Sequence, residues 1–430
     1  MSESKIEGYS DRRLPDRLTV HGSRVGLIVA SFAISLPSFL NGAQISLAVG
    51  LYKAILVSIL AGIILCIGAC LTAIISVRSR LTTYALVQRS FGVKGAILVN
   101  VVLAIIHFGW FGVNISFFGN ALVTATSEIY GFQGSFTLFV ILGSILISVS
   151  TIFGFKTLDK LAIVAVPLLA IVLIGVCIMA IREKGIVIDA PPNPIDPMTF
   201  GIALSSLVGG NLLTVVAMPD LSRYSRTSKQ AVGAMIISFP ISITLMGLAA
   251  AIPALAMGST DIMKLIITFG FGLPALAMLV LSTWTINSLN LYSASLSLSA
   301  TFPKFRSWMF TLIGGAIGGA MALMGIIDSF IPFLIILGVI IPPIAAIYVI
   351  DGFIMFRASD ADKKMVRNLG VRWRAVGLWL FAVSIAMITT YTDFELTTVP
   401  ALDATLIAAI VYLAMLRFFP EESILMRTGD

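Results

Sequence analysis

The sequence predicts an all-α membrane protein: twelve transmembrane helices folded as a five-plus-five inverted repeat with broken helices 1 and 6. Three observations predict the helical membrane class. Of 430 residues, 58% are hydrophobic and 11% charged, about half the charge of an average soluble domain. The apolar residues form continuous runs about 20 residues long, enough to cross a hydrocarbon core of roughly 30 Å. These runs do not alternate in polarity, which excludes a membrane β-barrel. Finally, the basic residues collect in every second loop.

Residues 1–24 are polar and mixed in charge, carry no cleavable signal pattern, and read as a cytoplasmic tail. Spans are expected at 25–50, 54–77, 95–124, 133–155, 160–182, 198–222, 230–257, 270–300, 308–326, 329–350, 373–391 and 399–419. Residues 25–419 thus form a single domain, followed by a short cytoplasmic tail at 420–430. Between spans two and three, "LTTYALVQRSFGV" (81–93) reads as an amphipathic interfacial segment.

With the N-terminus inside, the outer loops hold only Lys53, Arg182, Lys184 and Lys264 of the 28 Lys and Arg. This asymmetry supports an even number of spans, with both termini cytoplasmic in a plasma or inner membrane. It also accounts for the net charge of +7 without nucleic acid as a partner. Cys66, Cys70 and Cys177 lie scattered in apolar runs and suggest neither a disulfide frame nor a metal site. Hydrolase, zinc-protease and phosphate-loop motifs are absent, so neither an enzyme nor a cofactor is expected.

The acidic residues lie in loops, tails or near span ends, as Asp220, Asp328, Asp351 and Asp403 illustrate. A membrane interior without carboxylates argues against a carboxylate proton relay and for a neutral, moderately polar cargo. Transporters bind such cargo near the midplane, where paired helices are interrupted in two repeats. Span one carries Pro37, Asn41 and Gly42 near its centre, and span six carries Gly209, Gly210 and Asn211 near its centre with Pro219 near its inner end. Glycine and proline are common in membrane helices, but two breaks five spans apart match an inverted repeat.

Spans three and eight, also five apart, supply the polar chemistry. In "HFGWFGVN", Trp110 lies well inside span three, away from the interface where packing tryptophans gather. It offers a π-face on which to stack a planar ring. His107, three residues earlier, shares its face and reads either as a substrate or proton ligand or as a histidine satisfied by a neighbouring helix. Span eight has Ser282 and Thr285 on one face, then Asn287 and Asn290 three apart. Asn211, Asn287 and Asn290 each pair a donor with an acceptor, which suits a heterocycle edge or a helix–helix contact equally.

These motifs, together with "RLTTYALVQRSFGVKG", "PDLSRYSR" and "IPPIAAIYVIDGFIMFR", occur in an order that resembles the nucleobase–cation symport family, specifically its cytosine permease branch. The resemblance runs from about Ser31 to Arg357. It implies a leucine-transporter-type fold and a ring held between an aromatic on span three, here Trp110, and one on span six. That second aromatic should fall at Asn211, so this chain lacks it; Gly210 and Leu213 stand at the small polar positions beside it. His107 occupies a place that is typically glutamine, and Asn287 matches a family asparagine.

The resemblance also implies a Na+ site formed by carbonyls near Ser31 and Ile34 with oxygens of Ser282, Thr285 and the residue after it. That residue is Ile286, which has no side-chain oxygen to offer, so H+ coupling through His107 stands beside Na+. The function expected is secondary import of a nucleobase-like ring, cytosine or a relative. Alternatives are hydantoin, allantoin, a thiamine-precursor pyrimidine, an amino acid, or a receptor that senses nucleobase without carrying it. The oligomeric state is left open, and a monomer is compatible with the sequence.

Overall fold

A computed structural model describes residues 13–33, 35–153, 156–192, 197–268, 272–302, 304–354, 370–392 and 396–419. Span one is two helices, α1 (Gly22–Ala33) and α2 (Leu36–Val49). Spans two to five are α3 (Leu51–Ser79), α5 (Val93–Tyr130), α6 (Phe136–Phe153) and α7 (Lys156–Lys184), with α4 (Thr83–Phe91) joining the first two. Span six is α8 (Phe200–Val216) and the short α9 (Met218–Ser222); span seven is α10 (Ser228–Met257). α11 (Ile262–Thr268) precedes span eight, α12 (Gly272–Thr301), and span nine is α13 (Ser307–Leu323). Span ten divides into α14 (Phe330–Ile340) and α15 (Pro342–Ile354); α16 (Trp373–Tyr391) and α17 (Pro400–Phe418) complete the bundle. Among the described residues, six helical stretches are long and apolar enough to cross a membrane by themselves.

The breaks differ from expectation in position. Span one breaks before Leu36, not at its centre. Ser35 caps α2 by accepting from Ser38 N, and Pro37 lies in the first turn. Proline lacks an N–H and clashes with the carbonyl four residues back, here Ala33, the last residue of α1. Asn41 and Gly42, expected at the break, lie inside α2. Gly42 faces α10, where a Cβ would stand 2.8 Å from Ala250 Cβ, so close packing explains it.

Span six runs unbroken through Gly209 and breaks at Ala217. A Cβ on Gly209 would overlap the Leu334 carbonyl oxygen, so this glycine admits α14 rather than interrupting α8. Span ten breaks at Ile341, ahead of Pro342 and Pro343. Carbonyls released at two breaks are satisfied by aromatic donors: Tyr348 Oη donates to Val216 O (2.8 Å) and Trp379 Nε1 to Ile340 O (3.0 Å). Such capping is required where no water is available to accept.

α10 packs along α3 and both halves of span one, while α5 packs along α12 and α13. α14 lies against α8 and α17. The segment read as interfacial is instead embedded in protein: Thr83, Ala85, Leu86, Val87, Ser90 and Phe91 of α4 are buried.

Around α4 the bundle end is held by two arginines. Arg80, in a left-handed conformation (φ 58°), donates to the carbonyls of Arg223, Ser225 and Arg226 and pairs with Asp16 at 3.2 Å. Burial lowers its pKa and Asp16 opposes the shift. The chain before α1 docks here through Leu14 N to Arg80 O and a parallel bridge between Val20 and Ser225. Arg372 pairs with the fully buried Asp351 at 2.8 Å and donates to Ser90 O, while Tyr412 Oη donates to the other Asp351 oxygen.

Candidate functional site

α5 and α12 run antiparallel and are linked by two polar contacts. Asn100 Nδ2 donates to Thr301 Oγ1 (3.3 Å), and His107 Nδ1 lies 3.2 Å from Asn290 Oδ1. The same register brings Asn287 level with the turn of α5 that follows Trp110. Asn287 is fully buried, and neither its Nδ2 nor its Oδ1 has a partner. One turn earlier Thr283 Oγ1 is also buried and unpartnered, as is Ser288 Oγ. Each such group costs about 1–3 kcal/mol when left unmatched, so these atoms call for a polar partner, whether water or ligand.

Ile105 and Leu98 show the outer face of α5, at 52% and 44% exposure. At about 100° per residue, His107 stands roughly 200° round the helix from Ile105. Its partial burial, and that of Trp110, is therefore exposure toward the bundle interior. Phe333 and Phe330 of α14 meet Trp110 in edge-to-face contacts, with centroids 5.5 and 6.4 Å away. Asn114 donates to Trp110 O (2.7 Å) within α5.

Span six approaches the same place through α14. Leu334 belongs to the buried cluster on which Trp110 and Phe333 pack. A Cβ on Gly210 would lie 3.4 Å from Leu334 Cδ2 and 3.7 Å from Asn41 Nδ2. Gly210 and Asn211 are both half-buried. Asn211 commits one amide N–H to Leu207 O (3.0 Å), leaving its oxygen and its second N–H.

Not every expected residue arrives at the site. Leu213 is buried in the largest core cluster and is turned away, because two residues carry it about 200° past Asn211. Asn290 has its carbonyl oxygen engaged by His107. Of the expected cation ligands, Ser282 is buried and Thr285 Oγ1 donates to Leu281 O (2.8 Å). Ser31 lies in the last turns of α1 with its side chain outside the described ones, and Ile34 lies outside the described residues. The described residues thus hold only the span-eight half of that set.

Sequence reasoning missed two features. Asn41 Oδ1 accepts from Ser206 Oγ (3.2 Å) and ties span one to span six. The aromatic neighbours of Trp110 were visible as Phe330 and Phe333, three apart on one helix face, but nothing local paired them with span three.

Comparison with known proteins agrees with this architecture. The family model described as permeases for cytosine/purines, uracil, thiamine and allantoin matches residues 27–413. The chain is 30% identical over 305 residues to the cytosine permease of Escherichia coli (strain K12), covering 70% of each chain. It is 25% identical over 354 residues to the hydantoin permease of Microbacterium maritypicum, covering 74% of this chain and 71% of that one. Among solved structures, inward-facing Mhp1 aligns over 94% of both chains with a TM-score of 0.79 and 17% identity. Mhp1 in a closed conformation with bromovinylhydantoin bound, a nucleobase-cation-symport-1 family transporter, aligns with a TM-score of 0.77 and 18% identity over 95% of this chain and 94% of that one. At these identities the structures establish the fold, which is of the leucine-transporter type with a five-plus-five inverted repeat. The chain belongs to the family of permeases for cytosine/purines, uracil, thiamine and allantoin, and is a multi-pass membrane transporter, not an enzyme.

Proposed function

We propose that this protein is a secondary active transporter importing a nucleobase-like ring, cytosine or a related purine or pyrimidine, by alternating access. The observation that carries the reading is the fully buried Asn287, whose amide has no partner, level with the Trp110 turn. A flat ring stacked on Trp110 gains about 0.5–1.5 kcal/mol beyond its burial. Its edge supplies the acceptor and donor that Asn287 lacks, with His107, Gly210 and Asn211 alongside. No Asp or Glu among the described residues lies mid-way along a spanning helix, which suits a neutral cargo. The likeness to a cytosine permease supports this ring, and the likeness to a hydantoin permease favours hydantoin or allantoin as the second reading.

Na+ held by Ser282, Thr285 and carbonyls near Ser31 and Ile34 is one coupling ion; H+ taken by His107 is the other, favoured by the missing oxygen at Ile286. The loop-charge asymmetry supports a plasma or inner membrane with both termini cytoplasmic. Uptake of labelled cytosine, uracil, adenine, hypoxanthine, allantoin and hydantoin in transporter-deficient cells tests the reading. Accumulation of at least one ring, abolished by Trp110→Ala, is expected; no uptake, or uptake indifferent to that change, refutes it. Ligand stabilisation measured with and without Na+ at two pH values separates the coupling ions.

A further inference from the structure

His107 has one committed ring nitrogen and one free one. Nδ1 lies 3.2 Å from Asn290 Oδ1. A carboxamide oxygen only accepts, so Nδ1 carries the proton of that bond. Neutral imidazole has a single N–H, which leaves Nε2 a bare acceptor. Among the described residues no group donates to Nε2, and it is not one of the enclosed polar atoms. The ring stands on the inward face of α5, one turn from Trp110.

We propose that Asn290 is a positioning residue that locks His107 in the Nδ1–H form, making it a one-way reader of the substrate edge. The inference rests on the transport reading above with Na+ as the coupling ion, because an imidazole that has taken H+ at Nε2 donates there instead of accepting, and it deepens that reading. Nε2 accepts from a lactam, imide or amino N–H on the ring and opposes a pyridine-type nitrogen, lone pair against lone pair. A glutamine at this position, as in the branch the sequence resembles, turns either end of its amide to the ring and lacks this bias. An imidazole pinned at Nδ1 has no such freedom, so a hydrogen-bonded neighbour that never touches the cargo sets its polarity.

The chain has two histidines, so His21→Gln leaves His107 as the only imidazole for nitrogen-15 NMR of the ligand-free protein. A protonated Nδ1 and a pyridine-type Nε2 are expected, with the Nε2–H form rising when Asn290→Leu is added. Uracil and cytosine, which have opposite polarity at one ring nitrogen and its neighbour, provide the transport readout. Their uptake ratio is expected to change about tenfold in Asn290→Leu, the scale of one buried hydrogen bond made or lost. In His107→Gln, which keeps a polar side chain in place, the ratio moves toward one.

A purely structural Asn290 lowers both rings alike, and that result overturns the proposal. An Nε2–H signal in the parent, or a ratio unchanged in both variants, does so too. A lock seen by NMR with no selectivity change defeats this inference alone. If the unaltered protein carries no ring at all, the transport reading fails and the inference with it.

Discussion

Gly209 and Gly210 are neighbours in sequence but face opposite demands, and replacing each with alanine separates them. A methyl on Gly209 would overlap the Leu334 carbonyl oxygen and stand 3.0 Å from its carbon and 3.1 Å from Gly338 N. All three are backbone atoms of α14, so no side-chain rotation relieves the contact. Overpacking costs about 1–3 kcal/mol, and the upper end applies where backbone must move. Alanine's helix preference returns about 1 kcal/mol, leaving Gly209→Ala about 2 kcal/mol less stable.

At Gly210 the nearest atoms are the Leu334 methyls, 3.4 and 3.6 Å away, and Asn41 Nδ2 at 3.7 Å. These are ordinary contacts, so Gly210→Ala keeps the helix gain of up to ~1 kcal/mol. Thermal unfolding in detergent should therefore place Gly209→Ala below the parent and Gly210→Ala at or above it. Because α14 also carries Phe330 and Phe333, ring binding should weaken in Gly209→Ala as those side chains shift against Trp110. If Gly209→Ala melts with or above Gly210→Ala, the close approach of α8 and α14 is wrong and so is the explanation of Gly209.

Other consequences can be measured as directly. Trp110→Ala should abolish uptake while leaving the melting temperature within a few degrees of the parent, and Trp110→Phe should retain part of the transport, checked by initial rates. Arg372→Met strands the Asp351 carboxylate, losing about 3–5 kcal/mol; pairing it with Asp351→Asn should recover part of that loss in a double-mutant melting series. Arg80→Met leaves three backbone carbonyls without their charged donor, costing about 3 kcal/mol or more. Its readout is faster hydrogen exchange or proteolysis in residues 14–20, against an unchanged α12.

The spans were legible because hydrophobic length is a property of the chain itself, and among the described residues the apolar runs became helices where expected. Break positions were less so. Pro37 marked the right break, but proline acts through the carbonyl four residues back, so the helix ends at Ala33 rather than at the proline. Gly209 looked like a break and is a contact, because the carbonyl that requires it arrives from α14. The break in span ten was written in Pro342 and Pro343, yet the apolar run across them reads as one span. Asn287 and Asn290 are the sharpest case: identical side chains on one helix face, one left unpartnered and the other spent on His107. Only the packing of α5 against α12 tells them apart.

The dock around Arg80 has a consequence for the order in which the chain is made. Leu14 and Val20 are synthesised first, but Arg80 comes later and the carbonyls of Arg223, Ser225 and Arg226 later still. Until span six is complete, Arg80 has none of these carbonyls, only the exposed Asp16, and is an accessible positive charge beside span two. In that interval it serves as a topogenic signal; afterwards the same guanidinium is buried and becomes a clasp. Residues 14–20 thus emerge before Arg80 yet settle only after span six, and their docking reports that the first half of the bundle has closed onto the second.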